Sequence, residues 1–237
     1  MSWESQLAAQ LDDLEGQAQD LLSRERDWEV AEQARAEYAS ISLLTRLMAS
    51  VGRRLDLEVR GELADYDVSV YKLAALKGIL SNVVSENVSY VNAPLFAEQR
   101  GIETRLIVEK ESPEYRNLTT LRGAFADGTV LTVSGTLAGT RMVQKIVGIN
   151  GHDIEVPIDT HHIIMQYTDR PGIVAVYGQK FGAAGINIAG MQVARREAGG
   201  QALTVLTVDS RVPDELLAEV GEAIDAVLME QIEIAEV

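Results

Sequence analysis

Side chains that could hold a small zwitterion are grouped in the C-terminal third of this 237-residue chain. An amino acid carries an ammonium beside a carboxylate, so its receptor needs a hydrogen-bond acceptor beside donors. Asp169 can accept from the ammonium, Asn187 can donate and accept, and Tyr167 can donate to a ligand hydroxyl. A helix that begins near Gly172 would add N–H groups that favour an anion. The alternative is structural: Asp169 only caps the turn, and Asn187 only adopts a turn conformation.

A strand, a helix and a second strand would position these side chains. The run from Ile163 to Tyr167 is apolar and of strand length, and the spacing from Ile173 to Phe181 indicates a helix with one apolar face. The segment from Ile186 to Val193 then has the composition of the next strand. We expect the two strands to be adjacent and parallel, so that Asp169 and Asn187 lie at the same end.

Three further elements follow that strand. The run from Ala202 to Val208 indicates a strand that forms a hairpin with the preceding one, because two glycines lie between them. Pro213 begins a helix, and the segment from Val227 to Val237 is a final strand. The resulting β-α-β-β-α-β order predicts a ferredoxin-like unit.

The middle of the chain predicts an α+β layer domain, and the beginning predicts a helical arm. Leu55, Leu57 and Val59 alternate with polar residues, as in a half-buried strand. Residues 4–52 are rich in Ala, Leu, Glu, Gln and Arg, and the arm serves either oligomerisation or packing. The remaining predictions are two helices (68–84 and 90–100), four strands (104–109, 117–126, 130–137 and 143–149), hairpin turns at 127–128 and 150–151, and a joint at 157–160.

Composition argues against several classes of function. A formal net charge of −15 argues against binding to nucleic acid and to anionic membrane surfaces, because both need clustered Lys and Arg. The absence of cysteine excludes disulfides, thiolate catalysis and cysteine-held iron–sulfur clusters. No apolar run approaches the ~20 residues of a membrane helix, and the N-terminus has no basic and apolar leader. We therefore expect a cytoplasmic protein.

No enzyme constellation is visible in the sequence. It lacks the dinucleotide fingerprint G-x-G-x-x-G after a strand, the nucleophile elbow G-x-S-x-G and the P-loop. His161 and His162 are adjacent, so on a strand they point to opposite faces and do not make a metal site. We expect no cofactor, no metal and no catalysis by this chain alone, which leaves open a separate catalytic partner chain.

Short motifs in two stretches indicate a family. The segments Y-T-D-R-P-G (167–172) and G-I-N-I (185–188) resemble the ACT domain, a small amino-acid-sensing module. Upstream, R-G-E-L (60–63), V-N-A-P (91–94), V-S-G-T-L (133–137) and K-I-V-G-I-N-G (145–151) resemble the intervening domain of D-3-phosphoglycerate dehydrogenase. In the long form of that enzyme this domain precedes an ACT domain. The resemblance covers residues 55–237 and does not include the catalytic part.

The resemblance implies two ligand sites. In the ACT domain of that enzyme, serine lies between two subunits at positions that match Tyr167, Asp169 and Asn187. The intervening domain can hold an anionic effector or substrate, with Lys145 as the principal cation here; the alternative is that the cations are only solvated. The candidate donors for that second site are Ser134, Thr136, Arg141, Lys145 and Asn150.

The sequence therefore predicts a regulatory module with a helical arm (1–52), an intervening effector- or substrate-binding domain (53–157) and an ACT domain (158–237). It would bind L-serine or a related amino acid and couple occupancy to the subunit arrangement of a homo-oligomer in serine biosynthesis. The alternatives are a fragment or subunit of a working NAD-dependent phosphoglycerate dehydrogenase, the regulatory chain of a serine dehydratase, and a structural oligomerisation protein with a vestigial pocket. Residues 1–40 match no part of the resembled enzyme, so a gene fusion or truncation is also open.

Overall fold

The computed structural model describes residues 53–81, 84, 87–124, 130–139, 143–158 and 161–233. The helical arm predicted for residues 1–52, the hairpin turn predicted at 127–128 and Arg141 lie outside the described residues. The chain divides into two compact units, residues 1–145 and residues 146–237, so the division falls before the joint predicted at 157–160.

A six-stranded sheet and two helices make up most of the first part of the described chain. β1 and β2 are parallel, whereas the pairs β1–β3 and β3–β4 are antiparallel. The order across the sheet is β2-β1-β3-β4-β5-β6. The strands are β1 (Arg54–Gly61), β2 (Glu103–Glu109), β3 (Asn117–Ala124), β4 (Val130–Ala138), β5 (Val143–Ile149) and β6 (His152–Pro157), and the helices are α1 (Ser69–Ser81) and α2 (Ala93–Gln99).

The alternation in β1 explains how this sheet acquires an apolar face. Leu55, Leu57 and Val59 are buried, and Leu57 lies opposite Leu106 on β2 and Leu121 on β3. Because successive side chains of a strand point to opposite faces, these alternate residues form one continuous apolar surface. Helix α1 packs on β1 and β2, so the predicted α+β layer is confirmed.

β6 is a strand that the sequence analysis did not predict between the turn at 150–151 and the joint at 157–160. His152, Ile154 and Val156 are buried and alternate with exposed residues, which is the pattern of a half-buried strand. The predicted turn before it is confirmed, because Asn150 and Gly151 have φ values of 50° and 70°. Two successive positive φ values are what a two-residue hairpin of this twist needs.

A four-stranded sheet with two helices forms residues 161–233, and its β-α-β-β-α-β order confirms the ferredoxin-like prediction. The sheet order is β10-β7-β9-β8, with every neighbouring pair antiparallel. β7 and β8 are therefore parallel to each other, but β9 lies between them. The elements in chain order are β7 (His161–Thr168), α3 (Ile173–Ala183), β8 (Ile188–Arg195), β9 (Gln201–Val208), α4 (Asp214–Ala223) and β10 (Leu228–Glu233).

An apolar core fills the space between this sheet and its two helices. Ile163 and Met165 of β7 and Leu206 of β9 pack there with Tyr177 and Phe181 of α3. The two aromatic rings lie 6.5 Å apart between centroids in a tilted arrangement. This core fixes α3 over the sheet and thereby fixes the turn that leads from β7 into the helix.

The opposite face of the same sheet is buried as well. Ile164 on β7 and Leu203 and Val205 on β9 are inaccessible to solvent or nearly so. Strand β6 lies against β8, where the backbone N–H of Glu155 donates to Gln192 Oε1 at 2.7 Å. Neighbouring residues of β8 therefore meet different parts of the protein, because they alternate between the two faces.

Candidate functional site

Asp169 lies just after β7 and is held by Arg195, the last residue of β8, and by two glycines of the loop that joins β8 to β9. Its backbone N–H donates to the carbonyl of Gly200 at 2.8 Å. Its carboxylate accepts a hydrogen bond from Arg195 Nη1 at 2.6 Å, and a further one from the backbone N–H of Gly199. The turn after β7 is therefore tied to the end of β8 and the start of β9.

The surroundings of Asp169 favour its charged form. The hydrogen bond from Arg195 lowers the pKa of the carboxyl below its usual range, partial burial opposes this, and the Gly199 N–H lowers it again. The side chain of Asp169 is 24% exposed and that of Arg195 is 57% exposed. Asp169 is thus an anion at neutral pH, and a ligand can reach both members of the pair.

Helix α3 begins next to Asp169 with free N–H groups. Gly172 is the residue before the helix, its φ is 93°, and no side chain caps the first turn. A Cβ there would meet nothing within 4 Å, so the backbone conformation rather than space calls for glycine. Uncapped N–H groups and the helix dipole make this helix start receptive to an anion such as a carboxylate.

Tyr167 lies inside the core rather than at the surface. Its side chain is 2% exposed, and its hydroxyl is bonded to Thr204 Oγ1 at 2.6 Å. The nearby Tyr177 hydroxyl donates to Met191 Sδ at 3.1 Å, and burial raises the pKa of Tyr177 to about 12. Tyr167 shares a face with Ile163 and Met165 because strand residues alternate, which explains why its hydroxyl points into the core.

Asn187 immediately precedes β8 and is bonded to Asp209. Its Nδ2 donates to Asp209 Oδ2 at 2.7 Å, and the Asp209 backbone N–H donates to the Asn187 carbonyl at 3.2 Å. The amide is on an exposed part of the surface. The pair therefore closes the junction between the start of β8 and the end of β9.

The prediction that Asp169 and Asn187 lie at the same end of the sheet is wrong within one chain. Thr168 pairs with Gln201 at the start of β9, whereas Ile188 pairs with Val208 at its end. At about 3.3 Å per residue, the two sites are roughly 23 Å apart along β9. The physical reason is that parallel strands place the end of one opposite the end, not the start, of the other.

The second set of predicted residues makes contacts of its own. Ser134 Oγ is 2.8 Å from Thr120 Oγ1, and Thr136 Oγ1 donates to the Asn117 carbonyl at 2.5 Å. Lys145 lies on β5 and has a partner, and Asn150 is at the β5–β6 turn. Arg141 is outside the described residues.

Two arginines that the sequence analysis did not single out connect these features. Arg195 reaches Asp169, while Arg196 donates to the Gly151 carbonyl from Nε at 3.0 Å and from Nη2 at 2.9 Å. Adjacent strand residues point to opposite faces, so one arginine serves each face of β8. The feature of the sequence that could have indicated their role is the pair of consecutive arginines just before the Gly199-Gly200 turn.

Membrane helices and metal clusters are both absent from the described ranges. No helix among those residues is long and apolar enough to cross a membrane. Nor do three or more His, Cys, Asp or Glu side chains come together there in a way that would hold a metal ion.

Two family models match the chain, and they cover different stretches of it. The model of the D-3-phosphoglycerate dehydrogenase intervening domain matches residues 42–150. The model of the ACT domain matches residues 161–225. The second match contains both Asp169 and Asn187, and the first contains the whole set of candidate anion-site residues.

Curated relatives with the same two-domain similarity are D-3-phosphoglycerate dehydrogenases. The one from Mycobacterium tuberculosis is 39% identical over 181 residues, which is 76% of this chain and 34% of the relative. Those from Mycobacterium leprae (34% identical; 81% of this chain, 37% of the relative) and Bacillus subtilis (29%; 81% and 36%) are similar over 193 residues each. The chain spans about a third of the length of these relatives. It contains a D-3-phosphoglycerate dehydrogenase intervening domain followed by an ACT domain.

Proposed function

We propose that this chain is a regulatory amino-acid-binding module that takes L-serine between two ACT domains and couples occupancy to their pairing. The observation that carries the proposal is the arrangement of Asp169, which stays charged, beside Arg195 and the uncapped start of α3. Asp169, Arg195 and the N–H groups at the start of α3 supply an anion, a cation and free donors, which complement the two charges of an amino acid. The similarity to phosphoglycerate dehydrogenases makes serine biosynthesis the expected setting.

The distance between Asp169 and Asn187 supports a site shared by two copies. β8 is at the edge of its sheet, with β9 on one side only. If two copies pair these edges antiparallel across a two-fold axis, the start of one β8 lies beside the end of the other. The partner's Asn187 then comes next to Asp169 and Arg195, and two identical sites result.

Exposed apolar side chains on β8 and on α3 support this pairing. Val174 of α3 is 48% exposed, and Met191 and Val193 of β8 are 52% and 43% exposed. Large apolar side chains on an edge strand and its neighbouring helix favour burial against another copy, because an uncovered strand edge invites pairing.

The chemistry of the shared site matches an α-amino acid. Asp169 accepts from the ammonium, and the N–H groups at the start of α3 donate to the carboxylate. The partner's Asn187 amide can both donate and accept, so it suits the hydroxyl of serine. Tyr167 contributes by packing below the site, since its own hydroxyl is bonded to Thr204.

Calorimetric titration with L-serine, glycine and phosphoserine, combined with light scattering, tests the proposal. Serine is expected to bind with about one ligand per chain, as two-fold symmetry requires, and to stabilise the dimer by mass action. Glycine should bind more weakly because it lacks the hydroxyl, and phosphoserine should distinguish an anion site from the amino-acid site. A monomer at all concentrations, or no heat with any of the three, would refute the proposal.

A further inference from the structure

The ion pair between Asp169 and Arg195 is built so that one partner can leave. Arg195 is 57% exposed and uses a single N–H, from Nη1, on Asp169. A guanidinium has five N–H donors, so most of its capacity is unused in this contact. Exposed pairs of this kind contribute little to stability, because water screens them and ordering two side chains costs entropy. Displacing Arg195 from Asp169 is therefore easy.

Asp169 itself stays in place when Arg195 moves. Its backbone is bonded to Gly200, and its carboxylate also accepts from the Gly199 N–H. The backbone of Arg195 is equally fixed, because Arg195 pairs with Ala202 on β9 and the next residue is bonded to Gly151. Only the long side chain of Arg195 is free to change its partner.

We propose that Arg195 is the residue that selects the ligand by its α-carboxylate. This inference rests on the proposed function. The ligand's ammonium replaces Arg195 at Asp169, and the released guanidinium binds the ligand's carboxylate. One ion pair becomes two, and the net charge of the site is unchanged because the ligand is a zwitterion.

This exchange selects for one chemical class. A guanidinium binds a carboxylate through two parallel N–H donors, which is stronger than the single contact to Asp169. An amine without a carboxylate, such as L-serinamide, would leave Arg195 without a counter-ion. A hydroxy acid without an ammonium, such as glycerate, would not displace Arg195 from Asp169. The site therefore requires both charges on one ligand.

Titrations of the wild type and Arg195→Gln with L-serine and L-serinamide test the exchange. The wild type should prefer serine by about tenfold or more, the range expected for a charged hydrogen-bonded pair. In Arg195→Gln, serine affinity should fall by a similar factor, while serinamide affinity holds or rises because its ammonium no longer competes with Arg195. Arg195→Lys should show a preference for serine between those of Arg195→Gln and the wild type, since lysine keeps the charge but lacks the two parallel N–H donors of the guanidinium.

Arg211→Gln is the matched control, because Arg211 is 55% exposed and binds Asp214 at 2.8 Å elsewhere in the same unit. It should behave as the wild type, and unchanged thermal unfolding of both glutamine variants would show that folding is intact. If Arg195→Gln keeps the wild-type ratio of serine to serinamide affinity, Arg195 does not select the ligand by its carboxylate, and the proposed function stands. If the wild type binds no amino acid, both proposals fail.

Discussion

The two ends of the four-stranded sheet differ in the residue that is bonded to each candidate site residue. At one end Asp169 is bonded to a cation, Arg195, and at the other Asn187 is bonded to an anion, Asp209. The first end can meet both charges of an amino acid, whereas the second offers only an amide and a carboxylate. Within one chain the two residues therefore cannot bind the same ligand. Pairing with a second copy would bring Asp169 of one chain next to Asn187 of the other.

A substitution that breaks the proposed pairing of two copies through β8 should have the largest effect on serine binding. Val193→Asp places a charge in the apolar surface of β8, and the buried unpaired carboxylate should weaken the dimer by about a hundredfold or more. Serine binding should disappear with the dimer. Sedimentation at several concentrations measures the change.

Val108→Asp is the control for that substitution. Val108 is 42% exposed and lies on β2, an edge strand of the other sheet, while Val193 is 43% exposed. The control should keep both the dimer and serine binding. A Val193→Asp protein that stays dimeric and binds serine would contradict the shared site.

Removing the carboxylate at the first end should have the next largest effect. Asp169→Ala leaves the ligand's ammonium without its counter-ion, which should reduce serine affinity by about thirty-fold or more. Asp214→Ala, which also removes an aspartate paired with an arginine, should leave serine affinity unchanged. A full serine-induced thermal shift in Asp169→Ala would place the pocket elsewhere.

Changing the second end should cost less. Asn187→Ala removes a neutral amide, so serine affinity should fall by about tenfold. Lys145→Ala is expected to leave serine affinity unchanged and to weaken only an anionic effector, if the intervening domain binds one. Thermal unfolding with and without serine compares the variants. If Asn187→Ala shows the full serine-induced shift, Asn187 is not part of the serine site.

The smallest effect concerns pH. The pKa of Asp169 is lowered in the folded protein, so the unfolded chain takes up its proton first as pH falls. The stabilisation is therefore complete above about pH 4 and is lost as pH falls through the lowered value. In Arg195→Gln the main cause is gone, so the titration midpoint of Asp169 should lie at higher pH, closer to that of the unfolded chain, and the stability lost on acidification should be smaller. NMR titration of the Asp169 carboxyl group measures its pKa in both proteins. Identical midpoints would contradict the conclusion that Arg195 lowers this pKa.

The sequence predicted the elements well where alternation or helical spacing was long enough. Leu55, Leu57 and Val59 identified β1, and the spacing from Ile173 to Phe181 identified α3. β6 was not predicted because its six residues, between the turn predicted at 150–151 and the joint predicted at 157–160, alternate over too short a stretch. Periodicity reports which face of an element is buried, but it carries no information on which strand lies next to which.

The candidate site was predicted less completely than the elements. Asp169 and Asn187 were predicted from their chemistry, but their placement was wrong because the end of β7 and the start of β8 lie at opposite ends of β9. Arg195 was missed because its partner lies 26 positions away in the sequence, across a loop. Contacts of this kind follow from the sheet order and not from local pattern.

Complementation between two variants tests the shared site most directly. Asp169→Ala and Asn187→Ala chains, carrying different tags, are produced together and the mixed dimer is purified. A shared site predicts that one of its two sites combines the intact Asp169 of one chain with the intact Asn187 of the other. The mixed dimer should therefore bind serine with wild-type affinity at about half the wild-type stoichiometry, while each homodimer binds weakly. Weak binding by the mixed dimer as well would contradict the account.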